Sequence, residues 1–178
     1  MTTVAEAVTA QTLSRRTPRS DAPPLDPSGT SFLIISYGNG ESSSVARQWL
    51  AEALEIAPVQ WLTFTRFTPD AGRQLSRTLC SSQNGLRIMI VGGQFDVLQT
   101  TALALRSGAL AEEVRGLARD VSSLPIYCAH CRQTNCVTGE PGGRVACPGC
   151  ARTLEIHPHL SAVRGSFLAS DACARDVP

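Results

Sequence analysis

The sequence predicts an α/β domain built on a mostly parallel sheet, followed by a small cysteine-stapled module. Three observations predict it. Between residues 31 and 119, apolar runs of strand length alternate three times with stretches of helical periodicity. Two of those runs, SFLIISYGNG and LRIMIVGG, are apolar through their length and end in glycines, the pattern of strands buried on both faces that leave their sheet by a tight turn. Beyond them, CAHC and CPGC place Cys128 with Cys131 and Cys147 with Cys150, two CxxC pairs fifteen residues apart. That is the spacing of two knuckles folding onto one tetrahedral metal, a zinc ribbon.

In chain order, residues 1–30 carry three arginines and four prolines with little to bury, and predict a flexible arm. Residues 31–120 predict the α/β domain. The first strand covers the apolar run 32–35 and is followed by Glu41, three serines and a helix with Val45, Trp49, Leu50, Ala53 and Leu54 on one stripe, ended by Pro58. VQWLTFTRF reads as a second strand and residues 70–81 as a helix through Leu75 and Leu79. LRIMIVGG is the third strand. From Gln94 to Arg119 the periodicity predicts helix, interrupted near Gly108, with Asp96, Glu112 and Glu113 as helix-surface charges. Residues 121–172 predict the ribbon, entered by a strand at 124–127 and closed by a hairpin using Leu154, Ile156, Val163, Phe167 and Leu168; residues 173–178 are a tail.

The 178 residues, 43% of them hydrophobic, suffice for one moderate core plus a module that needs its ion to fold. A formal charge of +1 removes the bulk attraction to polyanions on which nucleic-acid binding depends. The seven cysteines fit a reducing cytoplasm, no apolar run reaches membrane-spanning length, and no secretory leader is evident.

The chemistry concentrates on Cys128, Cys131, Cys147 and Cys150. Four thiolates suit zinc, with a single rubredoxin-like iron as the alternative. Cys136 lies among turn formers and reads as a spare thiol at a mobile hairpin tip. His157 and His159 alternate onto one strand face as surplus to a complete ligand set, and His130 reads as a solvated turn residue. Cys80 reads as a small buried hydrophobe and Cys173 as a tail thiol. No nucleophile and base stand in motif spacing, so no catalytic residue is assigned.

Two resemblances add to this reading. FLIISYGNGESSS and IMIVGGQFDVLQTTALALRSGALAEEV resemble the nicotinamide-binding half of the ferredoxin-NADP reductase family, which implies a degenerate nucleotide-binding sheet with Gly38, Gly40, Gly92 and Gly93 at the cofactor turns. The family's Cys-Gly-Pro is Val91-Gly92-Gly93 here, serines replace the threonine and proline of its glycine loop, and neither its flavin barrel nor its aromatic terminus is present. Two readings stay open, a live dinucleotide site or a sheet retained as scaffold after the site decayed. YCAHC, CPGC and the residues His159, Ser161, Arg164, Gly165, Phe167 and Leu168 in LEIHPHLSAVRGSFL resemble the small, DmmA-like subunit family of bacterial dimethylamine monooxygenases. That resemblance implies a non-catalytic structural or assembly subunit of an NADPH-dependent oxidative N-demethylating complex. Flavin and a 2Fe-2S cluster would sit in a partner reductase subunit and haem in a partner oxygenase subunit, with no nucleic acid or membrane engaged. The alternatives are a rubredoxin-like iron electron carrier and a nucleic-acid-binding zinc ribbon.

Overall fold

The computed structural model describes residues 22–174. The expected arm is thus described only from residue 22, and the tail only to residue 174. The first sheet contains β1 (Ser31–Tyr37), β2 (Val59–Phe64), β3 (Leu86–Gly93) and β4 (Val114–Asp120) in the order β2-β1-β3-β4, all parallel. Between the strands run α1 (Glu41–Leu54), α2 (Pro69–Cys80) and α3 (Gln94–Arg106). The two-residue period of β1 divides the core. Phe32 and Ile34 pack with Trp49, Ala53, Met89 and Leu117 on the α1 face, while Leu33, Ile35 and Tyr37 pack with Leu75, Ile90 and Val97 on the other.

Three expectations fail here. Residues 114–119 are not helix. The helix ends at Arg106, Gly108 turns the chain at φ +102°, and after a 3-10 turn at Ala111–Glu113 the chain pairs with β3 as β4, Ile88 opposite Val114. A six-residue run whose Val114 and Leu117 are both buried fits either period, and the open edge of β3 decides it. Order also begins before Ser31. Leu25 is buried in the α1-face core, the Trp49 indole N–H donates to the Pro23 carbonyl, and the Arg87 guanidinium reaches Asp26 at 2.7 Å and the Ser28 hydroxyl at 2.7 Å. Residues 22–30 are therefore a strap laid over the sheet domain. Within α1, Leu54 is 61% exposed rather than part of the buried stripe.

Only residues 121 and 122 link β4 to β5 (Ser123–Cys128). The second sheet adds β6 (Thr134–Thr138), β7 (Arg144–Ala146), β8 (Thr153–Ser161) and β9 (Ser166–Asp171) in the order β6-β5-β9-β8-β7, antiparallel except for the parallel pair of β5 and β9. Its core is Leu124, Ile126, Leu154, Ile156, Phe167 and Ala169, and Leu98 of α3 belongs to the same cluster. Val163 and Leu168, expected inside, are exposed because Val163 lies in the β8–β9 turn and Leu168 alternates outward between Phe167 and Ala169. No described helix is long and apolar enough to cross a membrane.

Candidate metal centre

Each CxxC pair folds into the same turn. Arg132 donates its N–H to the Cys128 carbonyl and Cys128 its own to Gln133; nineteen positions on, Ala151 donates to Cys147 and Cys147 to Arg152. Arg132 and Ala151, each following the second cysteine of its pair, both adopt positive φ, 59° and 60°. Such strain in non-glycine residues persists only where the surrounding structure over-determines it, and its repetition marks two copies of one knuckle. β5 carries the first knuckle and β7 leads into the second; β9 and β8 stand between these strands in the sheet, yet the two knuckles meet.

The four sulfurs all lie within 4.8 Å of one another, with Cys128 to Cys150 and Cys131 to Cys147 each 3.8 Å apart. Sulfurs held about 2.3 Å from a central ion in a tetrahedron stand about 3.8 Å apart, so the spacing is that of ligands around one ion. The four can therefore hold a metal ion. Cys128 and Cys147 are buried, and Cys131 and Cys150 lie half-buried at the rim. Burial pushes the Cys147 thiol up, but the N–H groups of Gly149 and Cys150 outweigh it and bring it down to about 7. The Arg152 N–H pulls Cys150 down, yet burial and the neighbouring sulfurs leave it pushed up to about 11. Four thiolates this close repel one another, and a divalent cation is what lets all of them lose their protons. The Asn135 side chain also points an N–H at the Cys147 sulfur, 3.8 Å away.

Cys136 is not at a hairpin tip. It lies on β6 opposite Pro125, half-buried, with its thiol pushed up by burial. Turn-forming neighbours such as Asn135 hid the strand, which exists because β5 offers a pairing edge. His157 shares a 2.7 Å hydrogen bond with the Ser170 hydroxyl, whereas His159 and His130 are exposed. The ladder is irregular between Ile156 and Leu160, so the simple alternation expected for His157 and His159 does not hold. Cys80 is exposed rather than buried, and Cys173 is exposed as expected.

The four glycines of the sheet's turns sit where the strand order reverses, between β1 and β3, the usual ligand crevice of such sheets. Gly38 and Gly40 have positive φ and open space about their Cα hydrogens. The other side of the crevice is filled. A Cβ on Gly92 would stand 2.7 Å from that of Tyr37, whose buried ring is fixed by a hydroxyl hydrogen bond to Thr100. At the α3 N-terminus, where an anion would sit, Asp96 accepts the Phe67 N–H at 2.6 Å. Burial raises the Asp96 pKa against that donor and Arg66, so it is not the ordinary surface charge the helical pattern suggested. Sequence reasoning missed Tyr37 and Asp96 because a tyrosine at a strand end and an acid in a first turn are unremarkable until the fold opposes them to glycines.

Residues 125–169 match the family described as dimethylamine monooxygenase subunit DmmA-like, C-terminal domain. This part of the chain is similar to the DmmA-like C-terminal domain. Over 153 residues, 85% of each chain, the protein is 28% identical to the heme-dependent oxidative N-demethylase delta subunit of Ectopseudomonas mendocina (strain ymp). Among solved structures, a phthalate dioxygenase reductase, described as a modular structure for electron transfer from pyridine nucleotides to [2Fe-2S], aligns with a TM-score of 0.41 and 12% identity. That alignment covers 67% of this chain and 47% of the reductase, so the chain spans less than half of that structure. The matched segment contains all four clustered cysteines and Cys136, together with the Arg164 and Gly165 turn.

Proposed function

We propose that this chain is a non-catalytic assembly subunit of a multisubunit, NADPH-dependent monooxygenase that demethylates dimethylamine, and that it links a flavin and 2Fe-2S reductase subunit to a haem oxygenase subunit in the cytoplasm. One observation carries the reading: the α3 side of the crevice and the metal centre are closed by the chain's own atoms, and only the Gly38 and Gly40 turn is left open. Tyr37 covers Gly92, Asp96 occupies the α3 N-terminus, and four thiolates around one ion leave it no open coordination position, the mark of a structural rather than a catalytic site. Zinc is the ion, supplying folding energy to the ribbon and no redox chemistry. The DmmA-like match and the name of the 28% identical delta subunit support membership of an N-demethylating complex.

The test is metal content and visible absorption of the chain purified alone under reducing conditions, then co-purification of partner subunits with Cys128→Ser. One zinc per chain, no colour and loss of partners on substitution are expected. Stoichiometric iron that bleaches with dithionite would replace the scaffold by a rubredoxin-like electron carrier. A complex that stays intact with Cys128→Ser would remove the ribbon from assembly.

A further inference from the structure

We infer that the β8–β9 turn, at Arg164 and Gly165, is a joint that locks the metal ribbon onto α3, so that the two modules form one rigid body and the state of the metal centre reaches the parallel-sheet domain. The inference deepens the assembly reading and rests on it only for its purpose, since a subunit that spaces two partners must not bend.

The contact is backbone against backbone. A Cβ at Gly165 would lie 2.3 Å from the Leu98 carbonyl oxygen and 2.9 Å from the Ala102 Cβ, and the residue has φ +60°. No other residue fits that position, because the obstructing atoms belong to a helix backbone and cannot swing aside. Side chains of α3 then tie down the turn. Gln99 donates to the carbonyls of Arg164, at 3.0 Å, and Gly165, at 2.7 Å, and Arg106 donates to the Val163 carbonyl at 2.6 Å. Leu98, Ala102 and Arg106 recur every four residues with Gln99 beside them, so one face of α3 is given to the ribbon. The opposite face, with Val97 and Ala104, packs in the core of the sheet domain.

On the ribbon side the turn connects to the metal centre by two short routes. The Arg164 guanidinium stacks on the ring of Tyr127, 4.1 Å from its centroid, and Tyr127 directly precedes the ligand-set residue Cys128. Gly165 also runs into β9, where Ala169 pairs with Cys128 and accepts the Ala129 N–H. With only two residues between β4 and β5, neither module can swing on a tether. Arg164, Gly165 and Phe167 are among the residues by which the C-terminal sequence resembles the DmmA-like family. Gly165 and Arg164 make the joint, and Phe167 joins Leu98 in the ribbon core.

The experiment is amide hydrogen exchange with metal analysis on the full-length, metal-loaded chain as wild type, as Gly165→Ala, and as Gln99→Ala combined with Arg106→Ala. The double variant adds no atom to the contact and decides the question if Gly165→Ala does not fold. Retention of the ion with exchange over residues 98–106 and 161–166 accelerated about tenfold or more is expected, as is acceleration over 98–106 when a chelator strips wild type. Unchanged exchange over 98–106 in the variants, or a chelator response confined to residues 123–171, would overturn the joint. So would loss of the ion from the double variant, which would make the turn part of the metal site. Each of these failures leaves co-purification of wild type with its partners untouched, so the assembly reading stands or falls separately.

Discussion

Gly92 and Gly93 are adjacent and indistinguishable by residue type, yet the structure gives them different tasks, and substituting each by alanine separates them. At Gly92 the new methyl would stand 2.7 Å from the Tyr37 Cβ and 3.1 to 3.3 Å from its ring atoms, with Tyr37 only 2% exposed and held by Thr100. Nothing there can yield without moving β1 against β3. Overpacking of this kind costs about 1–3 kcal/mol, and stiffening the unfolded chain offsets about 0.4–1 kcal/mol of it, for a net loss of about 1–2 kcal/mol. At Gly93 the nearest atom is an Asp96 carboxylate oxygen at 3.2 Å and the next a carbonyl oxygen at 4.0 Å, while φ −69° and ψ 156° suit any L residue. Gly93→Ala should therefore be neutral or slightly stabilising. Thermal melts of the metal-loaded chain at neutral pH report the difference, since about 1 kcal/mol moves the midpoint by roughly 2–4 °C at this size. A drop of roughly 2–8 °C is expected for Gly92→Ala alone. Equal effects at the two positions, or none at Gly92, would refute the claim that Tyr37 closes the crevice.

Three further outcomes follow from burial and charge. Under reducing conditions in the metal-loaded chain, an alkylating reagent should modify exposed Cys80 and Cys173 well before Cys136, whose thiol is half-buried and pushed up by burial; peptide mapping over time checks the order. Asp96 has a raised folded-state pKa, so its contribution is fully present below the unfolded carboxylate range near about 4 and is lost as pH rises through the folded value. Urea midpoints of wild type minus Asp96→Asn should decline across that interval, and a flat difference would argue against a buried carboxyl at the α3 N-terminus. Asp26 has the opposite sign, because the Arg87 guanidinium beside it holds its carboxyl far below the usual range. Its stabilisation should be present above the unfolded pKa of about 3.9 and vanish in acid, so Asp26→Asn should lower the melting temperature at neutral pH and release amide protection over residues 22–30.

Much of the molecule was legible because local pattern and tertiary environment agree. The apolar run of β1 needs burial on both faces, and a sheet with α1 on one side and α2 and α3 on the other provides it. Four cysteines in two CxxC pairs have one economical arrangement, and their sulfurs stand at the separations of a tetrahedron. Where the reading failed, the deciding partner lay far away in sequence. β4 becomes a strand because β3 has an open edge, and Cys136 joins a strand because β5 does. The strap at residues 22–30 is held by Trp49 and Arg87, and its proline-rich composition says nothing of either.

The residue types and their spacing were thus enough to determine a parallel α/β sheet, a four-thiolate ribbon and the family resemblance of the C-terminal part, since each depends on periodicity or on ligands brought together by short turns. Only the tertiary structure decided that Tyr37 lies over Gly92, that Asp96 accepts the Phe67 N–H, and that Gly165 meets the backbone of α3. Those are contacts between residues 29 to 67 positions apart, and their energies depend on distances that no local sequence pattern encodes.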